Sequence, residues 1–159
     1  MKGDKRVIQL LNEALKNELT AVNQYWLHYR MLDNWGIHQL AEFEREESID
    51  EMKHADKLAE RILFLDALPN FQLLGKLRIG ENVEEMPKCD LALEMEALTQ
   101  LKGAIAHCEA VQDYVSRDLF SEILENEEEH VDTLEKQFDM IARMGLQNYI
   151  QLQSKPAEE

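Results

Sequence analysis

Six residues with metal-binding side chains stand where helical faces call for apolar ones: Glu18, Glu51, His54, Glu94, Glu127 and His130. Glu51 and His54 form Glu-x-x-His, as do Glu127 and His130. A spacing of three puts both side chains of each pair on one helical face. Glu18 precedes Glu51 by 33 residues, and Glu94 precedes Glu127 by the same 33. A shift of 76 residues carries Glu51 onto Glu127 and His54 onto His130. The chain thus contains a pseudo-twofold repeat of Glu … Glu-x-x-His. Four carboxylates and two imidazoles at one level of an interior repel each other unless cations join them. Two divalent cations neutralise the four acids. Two trivalent ions with one oxide do so again after oxidation, which suits an iron pair. Oxygen and imidazole donors without thiolate fit Fe or Mn, and shared carboxylates hold such ions about 3.5–4 Å apart.

Other acids and histidines lack this repeat. Glu44 and Glu47 read as solvated faces of an acidic protein, and within Glu127-Glu128-Glu129 only Glu127 is in phase with Leu134 and Ile141. His28, His38 and His107 read as surface or packing residues.

The positioning elements are helices. Leu11, Leu15, Glu18, Val22, Tyr25, Tyr29 and Leu32 recur at threes and fours and predict a helix over about 5–34. Asn34-Trp35-Gly36 breaks it. A second helix is expected over about 38–65, ended by Leu68-Pro69-Asn70, a third over about 83–112 and a fourth over about 115–144. Gly145 suits the residue after a helix end. Leu146–Leu152 predicts a short fifth helix, and Ser154–Glu159 a polar tail. The connection over about 66–82 is too long for a tight turn. Extended, it reaches roughly 55 Å, more than the ~42 Å of a 28-residue helix. It can therefore cross the bundle and make helices two and three parallel. The expectation is an all-α fold: a four-helix bundle, one long crossover between helices two and three, a short C-terminal helix, and a single domain over 1–159.

Seventeen Lys and Arg against 32 Asp and Glu give a net charge of −15. That opposes nucleic-acid binding, which needs cationic side chains to displace counterions, and favours cations as partners. Apolar runs such as Ile62–Leu65 are far too short for a membrane span. No apolar h-region follows Met-Lys-Gly-Asp-Lys-Arg, so a signal peptide is not expected. Cys89 and Cys108 form no CxxC motif and read as thiols of a reducing cytoplasm.

At these residues the sequence resembles bacterioferritin, the haem-containing bacterial branch of the ferritins. The likeness runs over nearly the whole chain: Met-Lys-Gly-Asp at the start, Asn23-Gln24-Tyr25, Glu47 to Asp56, Glu60 to Leu65, Leu68-Pro69-Asn70, Gly75-Lys76-Leu77, Ile79-Gly80-Glu81, Asp113 to Asp118 and Met144 to Tyr149. The resemblance implies a cytoplasmic, hollow, ferritin-like shell of 24 subunits, a homo-oligomer or a mixed shell. It implies a ferroxidase centre of two Fe per subunit on Glu18, Glu51, His54, Glu94, Glu127 and His130. There Fe(II) is oxidised by dioxygen or hydrogen peroxide and the ferric mineral is stored in the cavity. Glu51 and Glu127 match bridging ligands, Glu18 and Glu94 terminal ones, and Tyr25 a neighbour of the centre.

Met52 matches the family's axial haem ligand. On a helix it points about 130° away from the mean direction of Glu51 and His54. Leu19 and Trp26 are also turned outward, which suggests an interface, and a Met that only fills it is the plain reading of the spacing; the resemblance implies a twofold dimer there with haem b between two Met52 residues, one haem per two subunits. Some positions depart from the family. Glu46, next to Asp50, stands where many members carry a histidine of an inner-surface iron site, and Glu46 with Asp50 is the candidate pair for inner-surface iron here. Leu58 and Thr133 stand where some carry aromatic residues, and Arg45 where an aromatic residue is common near the haem. Leu68, Pro69, Glu81 and Glu85 match the docking surface of a bacterioferritin-associated ferredoxin that serves iron release. Asn34, Asp66, Asp132 and Asp139 match one inter-subunit pore, and Asn148 and Gln151 a fourfold channel.

Three rivals stand beside this reading: a di-iron or di-manganese oxidase or peroxidase that stores nothing, a DNA-protecting mini-ferritin, and a structural haem-binding subunit of a mixed shell. The intrasubunit repeat and the −15 charge oppose the second.

Overall fold

The computed structural model describes residues 1–155, so residues 156–159 of the expected tail lie outside them. Five helices follow one another: α1 (Lys5–Asn34), α2 (His38–Phe64), α3 (Glu85–Ala110), α4 (Tyr114–Met144) and α5 (Leu146–Gln153). The expected boundaries hold to within two residues. Among the described residues no helix is long and apolar enough to cross a membrane.

The helix ends follow local chemistry. Asp4 starts α1 by accepting from the Val7 amide at 3.0 Å, and Asp113 starts α4 by accepting from the Ser116 amide at 3.0 Å. Gly145 has φ 82°, a left-handed conformation that costs a glycine little, and lets the chain turn from α4 into α5.

Residues 65–84 are the long crossover, and they are fastened to α1 by a row of polar side chains. The Asn70 amide donates to Asn12 at 2.8 Å, the Gly75 amide to Thr20 at 2.8 Å, the Arg78 amide to Gln24 at 3.0 Å and the Gly80 amide to His28 at 2.9 Å. Both partners advance together, so the crossover runs in the direction of α1 and returns the chain to the end where α2 began. Helix α3 therefore runs parallel to α2 and antiparallel to α1. The pairs Gln24–Asp90, Tyr25–Glu94 and Leu10–Gln100 along α1 and α3 fit that direction. A Cβ at Gly80 would lie 2.6 Å from the Met86 nitrogen, so only glycine lets the crossover pass the start of α3.

The interior has two apolar ends. One is built from Leu11, Leu15, Leu58, Ile62, Leu101, Phe120 and Ile123. The other contains Leu32, Ile37, Leu40, Met86 and Tyr149, the last brought in by α5. The six singled-out acids and histidines lie between them, so the polar layer is sealed from above and below.

Candidate metal centre

Each of the four long helices contributes to that layer: Glu18 from α1, Glu51 and His54 from α2, Glu94 from α3, Glu127 and His130 from α4. The antiparallel pairs α1–α2 and α3–α4 bring Glu18 to Glu51 and Glu94 to Glu127, and the crossover brings the two pairs face to face. Five of the six residues are buried, and His54 is half-buried.

The arrangement has the twofold form of the sequence repeat. His54 Nδ1 lies 3.0 Å from Glu127, 3.6 Å from Glu18 and 3.7 Å from Glu51. His130 Nδ1 lies 3.0 Å from Glu51, 3.6 Å from Glu94 and 3.7 Å from Glu127. Donor atoms of Glu18, Glu51, His54 and Glu127 all fall within 4.8 Å of one another, and so do those of Glu51, Glu94, Glu127 and His130. The two quartets share Glu51 and Glu127. Donors on opposite sides of one ion at about 2.2 Å each span ~4.4 Å, so the quartets suit small divalent cations.

Hydrogen bonding inside the protein leaves this set unsatisfied. Both Glu51 oxygens, one oxygen each of Glu94 and Glu127, Nδ1 of His54 and both ring nitrogens of His130 are buried without a hydrogen-bond partner. The ring nitrogens come close to carboxylate oxygens but off the direction of a ring N–H. Orphaned buried donors of this kind fit cations. Glu94 is additionally fixed by the Tyr25 hydroxyl, which is fully buried and donates to it.

The electrostatics of the cation-free layer are those of protons standing in for metal. Burial opposes charge on His54, but the close carboxylates of Glu127 and Glu51 outweigh it and push the imidazole up to about 9. His130 is driven upward too: burial opposes its charge, and Glu127, Glu47, Glu51 and Glu94 overcome it. Burial raises Glu94 well above the usual carboxylate range, reinforced by Glu127.

Two acids behave differently from the sequence reading. Glu44 is not on a solvated face: it is 1 % exposed. Glu47 is half-buried, with its carboxylate 2.9 Å from His130 Nε2, the ring nitrogen turned away from the quartets. Both are in phase with Leu40, Glu51 and Leu58 on α2, and that periodicity was the signal of their burial. Their lack of a counterpart 76 residues later hid it. His28 is buried, while His38 is exposed and His107 half-buried.

Met52 is 48 % exposed and lies outside the layer. It lines a groove of about 780 Å³ with His54, Asp50, Glu122 and Glu129. Trp26 is 42 % exposed, and the Arg45 guanidinium sits 5.8 Å from its ring centre. Glu46 is exposed and belongs to none of the close donor groups, whereas Asp50 lies 3.8 Å from His130 Nε2 beside Glu47.

Comparison with known proteins agrees with this architecture. Residues 8–144 match the ferritin-like domain. The chain is 52 % identical to the bacterioferritin of Brucella melitensis over 159 residues, covering 100 % of this chain and 99 % of that protein. It is 49 % identical to the bacterioferritin of Mycolicibacterium paratuberculosis over 149 residues, 94 % of each chain. Against the bacterioferritin of Rhodobacter capsulatus identity is 48 % over 158 residues, 99 % of this chain and 98 % of the other. The chain belongs to the bacterioferritin branch of the ferritin-like family.

Proposed function

We propose that this protein stores iron and is a ferroxidase, oxidising Fe(II) at the paired quartets within each subunit. The observation that carries the reading is the sharing of Glu51 and Glu127 between two four-donor groups. Two Fe(II) ions as substrate bring four positive charges to four buried carboxylates, Glu18, Glu51, Glu94 and Glu127. In this assignment Glu51 and Glu127 bridge, Glu18 and Glu94 each serve one ion, and His54 and His130 each complete one side. A pair of Fe(II) ions supplies two electrons, enough to reduce dioxygen to hydrogen peroxide, or hydrogen peroxide to water. Tyr25 holds Glu94 in orientation, a role that supporting hydrogen bonds have around metal ligands. Glu47, 2.9 Å from the outer ring nitrogen of His130, places a negative charge beside it.

The groove between α2 and α4 is rich in acids and reaches His54, the least buried of the six. Asp50, Glu122 and Glu129 attract Fe(II) there. In the same reading each chain, residues 1–159, is one unit of a cytoplasmic 24-subunit shell, homo-oligomeric or mixed, with ferric mineral in its cavity. Met52, 48 % exposed and lining the groove, offers a thioether of the kind that holds haem iron; two copies across a twofold would hold haem b between them, one haem per two subunits. A thioether pair favours a high haem potential, which suits electron entry from a bacterioferritin-associated ferredoxin during iron release.

The test is aerobic Fe(II) loading of the purified full chain followed by size analysis and electron microscopy. The expected result is a shell with an electron-dense core. A small oligomer that oxidises Fe(II) but retains no mineral would replace storage by a simple di-metal oxidase.

A further inference from the structure

A second buried polar cluster lies beyond the metal layer, where α1, α2 and α3 meet the crossover. It consists of His28, Glu44 and Asp90, each 0–1 % exposed. Asp90 stands one turn before Glu94, and Glu44 two turns before Glu51. His28 Nδ1 is 3.0 Å from Asp90 and 4.0 Å from Glu44. One donor atom from each residue falls within 4.8 Å of the other two, a spacing compatible with a metal ion.

The hydrogen bonds point elsewhere. The Gly80 amide donates to His28 Nε2 at 2.9 Å, which makes that nitrogen an acceptor. A neutral imidazole has one ring lone pair, so its hydrogen is on Nδ1, the nitrogen facing the two acids. No lone pair is left there for a metal. Gln24 donates to one Asp90 oxygen at 2.9 Å, and Gln24 is itself held by the Arg78 amide. The other Asp90 oxygen and Glu44 Oε2 are buried with no donor, and His28 Nδ1, close to the Asp90 oxygen that Gln24 occupies, is buried without a well-aligned acceptor. Two bare carboxylates cannot both stay ionised in such a place, and one hydrogen between them satisfies both orphans.

We infer that this cluster is a proton-binding site: Glu44 and Asp90 share one proton, with His28 neutral, and no metal ion enters. Burial and the adjoining Asp90 charge raise Glu44 well above the usual carboxylate range. The groups around it act the same way or stay neutral: Glu94 from α3, Glu47 on its own helix, Tyr25 from α1 and Tyr149 from α5. The site has two consequences. The shared proton keeps this acidic cluster from competing with the paired quartets for cations. It also fastens the crossover, because His28 and Gln24, which face Asp90, are the residues that hold Gly80 and Arg78. Loss of the proton at alkaline pH leaves two buried charges at that junction and loosens it.

Infrared spectroscopy of the full chain at neutral pH tests the inference, with Co(II) titration beside it. The wild type should show the carbonyl stretch of a protonated carboxyl that is missing from Glu44→Gln, whose amide replaces the shared proton as donor. Co(II) bound per chain should be equal in the two. If Glu44→Gln does not fold, Asp90→Asn substitutes for it, since its amide donates to Glu44 and the same band should vanish. An unchanged protonated-carboxyl band in the folded variant, or loss of a Co(II) equivalent, would overturn the inference.

Discussion

In the proposed metal centre protons and cations compete for the six residues of the paired quartets, and their geometry sets the sign of the pH dependence. In the cation-free chain His54 titrates at about 9, above the ordinary histidine value of 6.5. A group whose folded pKa is raised contributes stability that is complete below its unfolded value and is lost as pH rises through the folded one. The cation-free protein should therefore lose thermal stability between about pH 6.5 and 9. Metal ions require the neutral imidazole and ionised carboxylates, so loading should release protons and remove that slope. Melting curves with and without Zn(II) across this range check it. A cation-free melting temperature that does not fall over that interval would contradict the assignment of these protons. At this scale the six residues were legible, because the repeat of Glu … Glu-x-x-His marks them on helical faces, and the bundle brings them together in one layer. Glu44 reads as solvated in the sequence although its phase on α2 signals burial, because its partners His28 and Asp90 are far away along the chain and meet it only in the folded bundle.

Helices are what hold these side chains at one level, and their registration depends on a few polar fasteners. Arg61 of α2 reaches Asp113 at 2.9 Å and the Ser116 hydroxyl at 2.9 Å, tying the end of α2 to the start of α4. Burial alone would raise Asp113, but the Ser116 amide and hydroxyl and the Arg61 charge hold its carboxyl below the usual range. A lowered carboxylate pKa stabilises the fold above the unfolded value and is lost as pH falls through the folded value. Asp113→Ala should cost about 1 kcal/mol at neutral pH as a lost helix cap. The gap from the wild type should close in acid, as urea denaturation at several pH values would reveal; a gap that widened in acid would refute this role. The helices themselves were legible, since their apolar residues recur at threes and fours. The crossover was legible only as a length. Its attachment depends on Asn12, Thr20, Gln24 and His28, which lie on one stripe of α1 and accept from backbone amides that no apolar pattern marks.

As a whole, the molecule is a helical bundle with a buried acidic layer that a groove reaches at His54, and with outward faces that one chain leaves partly bare. Trp26 and Met52, both more than 40 % exposed, lie outside the layer. Met52→Ala should abolish the haem absorbance of the purified shell while leaving its size unchanged; haem retained at wild-type content would remove Met52 as the ligand. A sequence describes one chain, so the direction of Met52 on its helix was readable, and a second copy opposite it is what the family resemblance alone implies. The central claim concerns the paired quartets. Its most direct test is the rate of aerobic Fe(II) oxidation at two Fe(II) per chain, measured by stopped flow for the wild type and Glu127→Ala. Because Glu127 belongs to both quartets, the account predicts a fast phase in the wild type that disappears in the variant. Equal fast phases in the two proteins would contradict it and would move the oxidation away from this layer.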